Sequence, residues 1–291
     1  MRISVVIPAY NAQPFISATL KSVLSQTSPV REIIVVDDGS NDDTVRIASS
    51  LGATVIKQTN SGPAVARNTG VSAAHNDWVA LLDADDRWFP DKLQRQCGMC
   101  STADILYTGL MLEHESDGST SSAPALAASK LWPTLLYRNP ITPSTVLARR
   151  NLLLQIPFAP GRGGCEDWDC WVRAYRAGAR FAGVSDPLVY YRDAAGSVSS
   201  SAERMLADFQ HILEPTLLAG MGGWARWSWR KRIVASQLFS AAMIERARRN
   251  LRGERKYLFR SIAEWPSPLF RTDRFRAIAY RLFQVPEQTL R

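Results

Sequence analysis

The first hundred residues alternate between short apolar runs and longer stretches with helical spacing. Ile3–Ile7 is an apolar run ended by Pro8-Ala9-Tyr10-Asn11, and Phe15–Leu24 then follows the spacing of a helix. Ile33–Val36 is a second apolar run, closed by Asp37-Asp38-Gly39-Ser40. Ser40 and Asp43 have capping-box spacing, which predicts a helix running to Leu51. Thr54–Ile56 predicts a third strand and Gly62–Ala74 a short helix. Trp78–Leu82 predicts a fourth strand, ended by Asp83-Ala84-Asp85-Asp86. Strands of four or five apolar residues separated by helices predict an α/β domain with a parallel sheet covered on both faces.

In such sheets ligands bind at the carboxyl ends of the strands. Three of the four predicted strand ends carry a polar cluster, and all should rise on one edge. The middle of the chain is less regular. Ser116–Ser122 reads as a Ser/Gly-rich loop, Thr145–Ala148 as a strand, and Gly161-Arg162-Gly163-Gly164 as a flexible loop. Glu166–Ala177 predicts a helix stopped by Gly178, and Leu188–Tyr191 a further strand. Beyond Ser197 the pattern is helical, with interruptions at Gly220, Gly222 and Gly223. The expected division is a catalytic α/β domain over residues 1–200 and a basic helical region over 201–291.

Composition sharpens that division. Hydrophobic residues make up 46% of 291, with 9 Trp, enough for a substantial core. From Met221 onward there are 16 Lys and Arg but only 5 Asp and Glu, a formal +11, whereas the preceding residues sum to −3. The basicity therefore belongs to the tail, and the first part is mildly acidic. Met1 leads at once into a predicted strand, so no signal peptide is expected. No apolar run approaches the ~18 residues of a membrane span. These features predict a cytoplasmic protein. Cys97-Gly-Met-Cys100 is a CxxC, but Cys165 and Cys170 have wider spacing and no His accompanies either pair. Buried or idle thiols are expected rather than zinc.

Four groups are candidates for chemistry. Asp83 and Asp85 form a DxD, two hard oxygen donors suited to a divalent cation that shares its ligands with phosphate. The alternative is an acidic turn before a helix beginning near Pro90. Asp37-Asp38 could accept the imide N–H of a uracil, or could merely make a turn with Gly39 and Ser40. Arg67, on the helix after Ser61-Gly62-Pro63, could reach a base or phosphate, or could be solvated. Glu166-Asp167 could include a general base for an acceptor hydroxyl, or could simply favour a helix N-terminus.

Together these segments resemble the family 2 glycosyltransferases with the GT-A fold, a mixed, mostly parallel sheet flanked by helices. The matching residues are Val5–Asn11, Ser22–Gln26, Ile34–Ser40, Gly62–Gly70, Leu81–Asp86 and Glu166–Arg173, within a span of roughly Arg2 to Ser199. The resemblance implies an inverting transfer of a sugar from a nucleotide diphosphate-sugar, UDP being favoured, to an acceptor hydroxyl. The setting would be assembly of a cell-surface glycan or glycolipid. Pro8, Ala9 and Tyr10 would border the base, with Asp37 and Asp38 in contact with it. Arg67 and Ala84 would help hold the nucleotide. Asp83 would bind ribose or metal, and Asp85 the Mn²⁺ or Mg²⁺. Asp167 would be the base and Glu166 would orient the acceptor.

One departure stands out. Relatives follow a Tyr-Arg pair with a His, whereas Tyr191-Arg192-Asp193 leads to Ala194 and Ala195. Arg192 or Asp193 would then be its substitute. Trp224, Trp227 and Trp229 interleave with Arg226, Arg230, Lys231 and Arg232 in a basic amphipathic stretch. That suits either the anionic inner face of the cell membrane or a helical subdomain with a solvated basic face. Nucleic acid is not an expected partner. Two rival functions are a nucleotidyltransferase, for which Pro8–Asn11 is a poor phosphate loop, and a degenerate nucleotide-sugar-binding scaffold, against which the intact DxD and Glu166-Asp167 argue.

Overall fold

A computed structural model describes residues 1–115, 118–193 and 201–266. The described residues within 1–135, 139–161 and 166–195 make one compact unit, and those within 136–138, 162–165 and 196–291 make a second.

In the first unit the strands are β1 (Ile3–Ala9), β2 (Glu32–Asp37), β3 (Thr54–Lys57), β4 (Trp78–Leu81), β5 (Arg87–Trp88), β6 (Ile105–His114), β7 (Thr120–Ala123), β8 (Leu147–Arg149) and β9 (Phe181–Asp193). They form one sheet in the order β3-β2-β1-β4-β8-β6-β9-β5, with β7 paired to β6. The half from β3 to β4 is parallel. β8 turns the sheet antiparallel, while β6 and β9 run parallel to each other. This is the expected mixed α/β sheet.

Helices α1 (Ile16–Leu24), α2 (Thr44–Ser50) and α3 (Pro63–Ala73) connect the parallel strands, and α4 (Lys92–Cys97), α5 (Leu131–Thr134), α6 (Arg150–Gln155) and α7 (Glu166–Arg176) follow. Apolar side chains of β1 and β2 are buried on both faces, as a covered parallel sheet requires. α1 buries Ile16, Leu20 and Val23, a single helical stripe. α3 lies so close to β1 that a Cβ at Gly70 would sit 2.3 Å from Val6 Cγ1. Only glycine permits that approach.

Three expectations for the first unit need correcting. Ser40 does not cap α2, whose N-cap is Asp43; its hydroxyl instead accepts the Asn11 N–H at 2.9 Å. A tertiary donor from the neighbouring strand-end loop outcompeted the local one. The predicted loop at 116–122 contains part of β7, because Thr120–Ala123 completes the edge of β6. Its polar composition reflects exposure rather than irregular backbone. The strand predicted at Leu188–Tyr191 is the end of a longer one, β9, which a register shift against β6 near Gly109 interrupts.

The second unit contains α8 (Ala202–Ile212), a π-helical turn (Leu213–Leu217), α9 (Gly223–Ala247) and α10 (Leu251–Glu264). Ala202, Leu238, Phe239, Ala241, Ala242, Tyr257 and Leu258 form its core. Gln237 Nε2 and Ser236 Oγ donate to the Tyr137 carbonyl, which ties residues 136–138 to this unit. The expected amphipathic stripe is absent from α9. Ser228, Ser236, Gln237 and Glu245 are buried on the same helix as Leu238 and Phe239, so polar and apolar positions are mixed around it. Ser236 and Gln237 are satisfied by those two bonds to Tyr137 and Glu245 by Asn250 Nδ2, whereas Ser228 Oγ has no hydrogen-bond partner among the described residues. Among the described residues no helix is long and apolar enough to cross a membrane. All four cysteines are free thiols, and burial pushes that of Cys170 up to about 12.

Candidate active site

The carboxyl ends of β1, β2 and β4 and the start of α3 enclose a cavity of about 550 Å³. That is within the range of small-molecule sites, ~300–1,000 Å³. Its lining includes Pro8, Ala9, Tyr10, Asp38, Arg67, Asp83, Ala84 and Asp85, with Asn11, Phe15 and Asn60. Tyr10 is 52% exposed and offers a ring to a ligand. Asp37 is buried and does not line the cavity; its Oδ1 has no hydrogen-bond partner among the described residues.

Asp38 organises the approach to α3. One carboxylate oxygen accepts from Gln58 Nε2 and the Ser61 N–H, the other from the Gly62 N–H, all at 2.8 Å. It thus pins the turn that leads through Gly62, at φ +87, into the helix carrying Arg67. These bonds run to residues 58–62 rather than to Gly39 and Ser40, and the carboxylate also reaches the cavity wall.

The acidic turn after β4 is held from two sides. α1 supplies one: Thr19 Oγ1 donates to the Ala84 carbonyl at 2.8 Å, Ser22 Oγ accepts the Trp88 N–H, and Gln26 Nε2 donates to the Phe89 carbonyl. Those bonds give the Ser22–Gln26 segment a physical purpose. Ser144 supplies the other, accepting the Asp83 N–H and donating to Asp86 Oδ2. Asp86 is buried and also accepts the Arg192 N–H at 3.1 Å. Burial, then the charges of Asp83 and Asp85, holds its carboxyl well above the usual range. Asp85 is more open. Burial and then Asp83 raise its pKa, against the opposing charge of Arg192, whose Nη1 lies 3.6 Å from Asp85 Oδ2. Arg192 also packs over the Phe15 ring and pairs with Glu115. Residues 194–200, including Ala194 and Ala195, lie outside the described residues.

Arg67 joins the two acidic groups. It is 4% exposed, so the solvated alternative does not hold. Nη2 donates to Asp83 Oδ1 and Nη1 to Glu166 Oε1, each at 2.8 Å, and the guanidinium lies over Phe158. Burial works against its charge, but the Asp83 and Glu166 carboxylates keep its pKa above the ordinary value. The start of α7 is thereby fastened beside the DxD. Glu166 is spent on this pair, whereas the next residue points elsewhere, as consecutive helical positions must. Asp167 Oδ2 accepts from Asn139 Nδ2 at 2.8 Å and Oδ1 from the Trp168 N–H at 2.7 Å. Burial, then the Glu166 charge, pushes its pKa up to about 7, with Arg67 opposing. A carboxylate poised near neutrality can take up a proton from a hydroxyl in the way a general base must. Ser144 and Asn139 carry no local signal in sequence; each meets its acidic partner only across the fold.

A mixed α/β sheet with a DxD at the end of its fourth strand and an acidic pair at a later helix start is the arrangement of a GT-A-type sugar transferase. The family model for glycosyl transferase family 2 matches residues 4–138. WfaP of Escherichia coli, a UDP-Glc:α-D-GlcNAc-diphosphoundecaprenol β-1,3-glucosyltransferase, is 32% identical over 220 residues, 73% of this chain and 85% of WfaP. The chain belongs to glycosyltransferase family 2, and is a glycosyltransferase. Two solved structures share the fold. S. aureus TarS 1-349 in complex with UDP-GlcNAc has TM-score 0.62 at 22% identity, covering 100% of this chain and 90% of that one. Glucosyl-3-phosphoglycerate synthase of Mycobacterium tuberculosis, in complex with Mn²⁺, UDP and phosphoglyceric acid, has TM-score 0.51 at 22% identity, covering 82% and 78%.

Proposed function

We propose that this protein moves a sugar from a UDP-sugar to a hydroxyl of a lipid-linked saccharide during cell-surface polysaccharide assembly, with inversion at the anomeric carbon. The observation that carries this reading is the Arg67 bridge, which brings the donor-side Asp83 and the Glu166-Asp167 pair into one site. Tyr10, with Pro8 and Ala9, borders the base, and Asp38 and Arg67 shape the nucleotide side of the cavity. Asp37 acts from behind by closing the strand end. Asp167 takes the proton of the acceptor hydroxyl, and Glu166 fixes the helix start that presents it. The donor and acceptor classes are those named for WfaP, supported by the uridine nucleotide bound to both structural neighbours.

The reading includes a divalent cation, Mn²⁺ or Mg²⁺. Asp83 and Asp85 suit one: both are hard oxygen donors on the cavity wall, and a cation would relieve both the burial of the Asp85 charge and its repulsion by Asp83, which together raise its pKa. When bound, the ion neutralises charge on the departing diphosphate. The assay is a panel of nucleotide sugars with Mn²⁺, scored by nucleoside diphosphate release and repeated with EDTA. Release from a UDP-sugar that EDTA abolishes is expected; EDTA-resistant release removes the metal from the scheme.

The division of labour we infer is catalysis by residues 1–200 and surface attachment by 201–291, on the inner face of the membrane. Trp224 and Trp227 are 73% and 53% exposed on α9. Arg226 and Arg230 are paired to Glu214, and Lys231 to Glu264. The Trp side chains therefore contribute more than these cations. Cosedimentation with phosphatidylglycerol vesicles should fall when both Trp are replaced by Ala; unchanged binding would rule out this face.

A further inference from the structure

Among the described residues the Asp167 carboxylate has one side-chain hydrogen-bond donor, and that donor is neutral. Asn139 Nδ2 meets Asp167 Oδ2 at 2.8 Å, across 28 positions of chain. The orientation of this amide is determined by its other end. Asn139 Oδ1 accepts the Ile141 N–H at 3.2 Å, and a backbone N–H can only donate. The amide oxygen must face Ile141, so its NH₂ must face Asp167. The short Asn139-Pro140-Ile141 turn thus presents a donor to a carboxylate it never approaches in sequence.

The two neighbouring carboxylates are treated differently. Glu166 is held in an ion pair by the buried Arg67 cation, which already occupies its Oε1. Asp167 is held by an amide, which orients it without adding a positive charge. Its Oδ1 is already committed to the Trp168 N–H, so both oxygens have one anchor and each keeps further acceptor capacity.

We propose that Asn139 is the positioning residue of Asp167: its amide holds Oδ2 and sets the plane in which the carboxylate meets the acceptor hydroxyl. This rests on Asp167 being the base. A carboxylate free to rotate about its last bond loses alignment with the reacting hydroxyl, and misplacement of this kind costs on the order of 100-fold in rate.

Two variants test it in the full chain. Asn139→Ala removes both bonds. Asn139→Asp keeps an oxygen for the Ile141 N–H but replaces the donor to Asp167 with a second acceptor, and it carries the test if the alanine variant fails to fold. The charged and titratable groups around Asp167, namely Glu166, Arg67, Asp83, Cys170 and Tyr191, stay in place in both. With UDP-glucose as the probe, UDP release should slow by about 10- to 100-fold in kcat, with KM for UDP-glucose little changed. Loss of a donor raises a carboxyl pKa, and a like charge raises it more. The acid limb of the pH profile should therefore move to higher pH, further in Asn139→Asp. Carboxyl-¹³C NMR of labelled aspartate, with the Asp167 signal identified by its loss in Asp167→Asn, should show its midpoint rising in the same order. This readout needs no turnover. An unmoved midpoint and acid limb in both variants, with Asp167→Asn inactive, overturns the role of Asn139 alone. Normal turnover by Asp167→Asn overturns the base assignment, and this proposal with it.

Discussion

The donor side and the base side of the site are built on different principles. On the donor side, residues 8–11, 37–40 and 83–86 each end or follow a buried strand, and parallel pairing lines them up on one edge. Their neighbours in space are set by the topology of β1, β2 and β4. On the base side the side-chain partners are distant in sequence. Glu166 meets Arg67 across 99 positions and Asp167 meets Asn139 across 28. The donor side is thus a property of the sheet, whereas the base side depends on individual ion pairs and hydrogen bonds. The first should survive single substitutions as a shape, and the second should not.

The sharpest separation comes from Asp167→Asn. Losing a positioned base costs ~10²–10⁴-fold in rate, so turnover should fall at least about a hundredfold while calorimetry still finds normal UDP binding. Near-normal turnover, with Glu166→Gln inactive, would exchange the two roles. The same variant has a stability signature. The folded pKa of Asp167 is raised to about 7, above that of an unfolded Asp. The folded state then holds more protons between those two values, and this group's contribution to stability falls as pH rises through that window. Asp167→Asn should be the more stable protein at pH 8, and the advantage should vanish near pH 4, measured by urea unfolding.

Arg67→Ala attacks the link between the two sides. It leaves Glu166 buried without its cation, a loss typically of about 3–5 kcal/mol. Urea midpoints should drop accordingly, and both UDP binding and turnover should suffer together. A variant that lost only turnover would mean that the donor side does not use Arg67. Asp85→Asn tests the opposite side: UDP affinity in Mn²⁺ should weaken tenfold or more, about 1.4 kcal/mol, with the pH profile unmoved. Equal affinity with and without the substitution would leave Asp85 as a turn residue. The smallest effect is expected from Ser40→Ala, which removes an exposed acceptor from the Asn11 N–H. About 1 kcal/mol of stability or less should be lost, because the β1 and β2 ends remain aligned by the sheet; a larger loss would show that the donor side too depends on single bonds.

The order of strands and helices through Leu82 was legible because apolar period and turn residues report burial and backbone reversal directly. The same logic exposed Tyr10, Asp38, Asp83 and Asp85, which all line the cavity, since a strand end in a parallel sheet has only one edge to face. It failed where a local pattern had a distant competitor. Ser40 has the spacing of a cap but gives its oxygen to Asn11. Thr120–Ala123 has the composition of a loop but completes a sheet edge. The Trp and Arg of α9 suggest an amphipathic stripe, yet the helix buries Gln237 and Glu245 and pairs its cations with Glu214 and Glu264.

By itself, then, the sequence determined the parallel half of the sheet, the acidic strand ends and the helix start bearing Glu166 and Asp167, because each depends on residues within a few positions of one another. Only the tertiary structure decided that Arg67 is a buried bridge rather than a solvated cation, that Asp37 is buried while Asp38 reaches the cavity, and that Asn139 and Ser144 serve the two acidic groups. Periodicity carries information about burial over one or two turns of chain. The partner of a charged or amide group is chosen by which buried donors and acceptors remain unsatisfied once the sheet has closed, and that is a property of the whole fold.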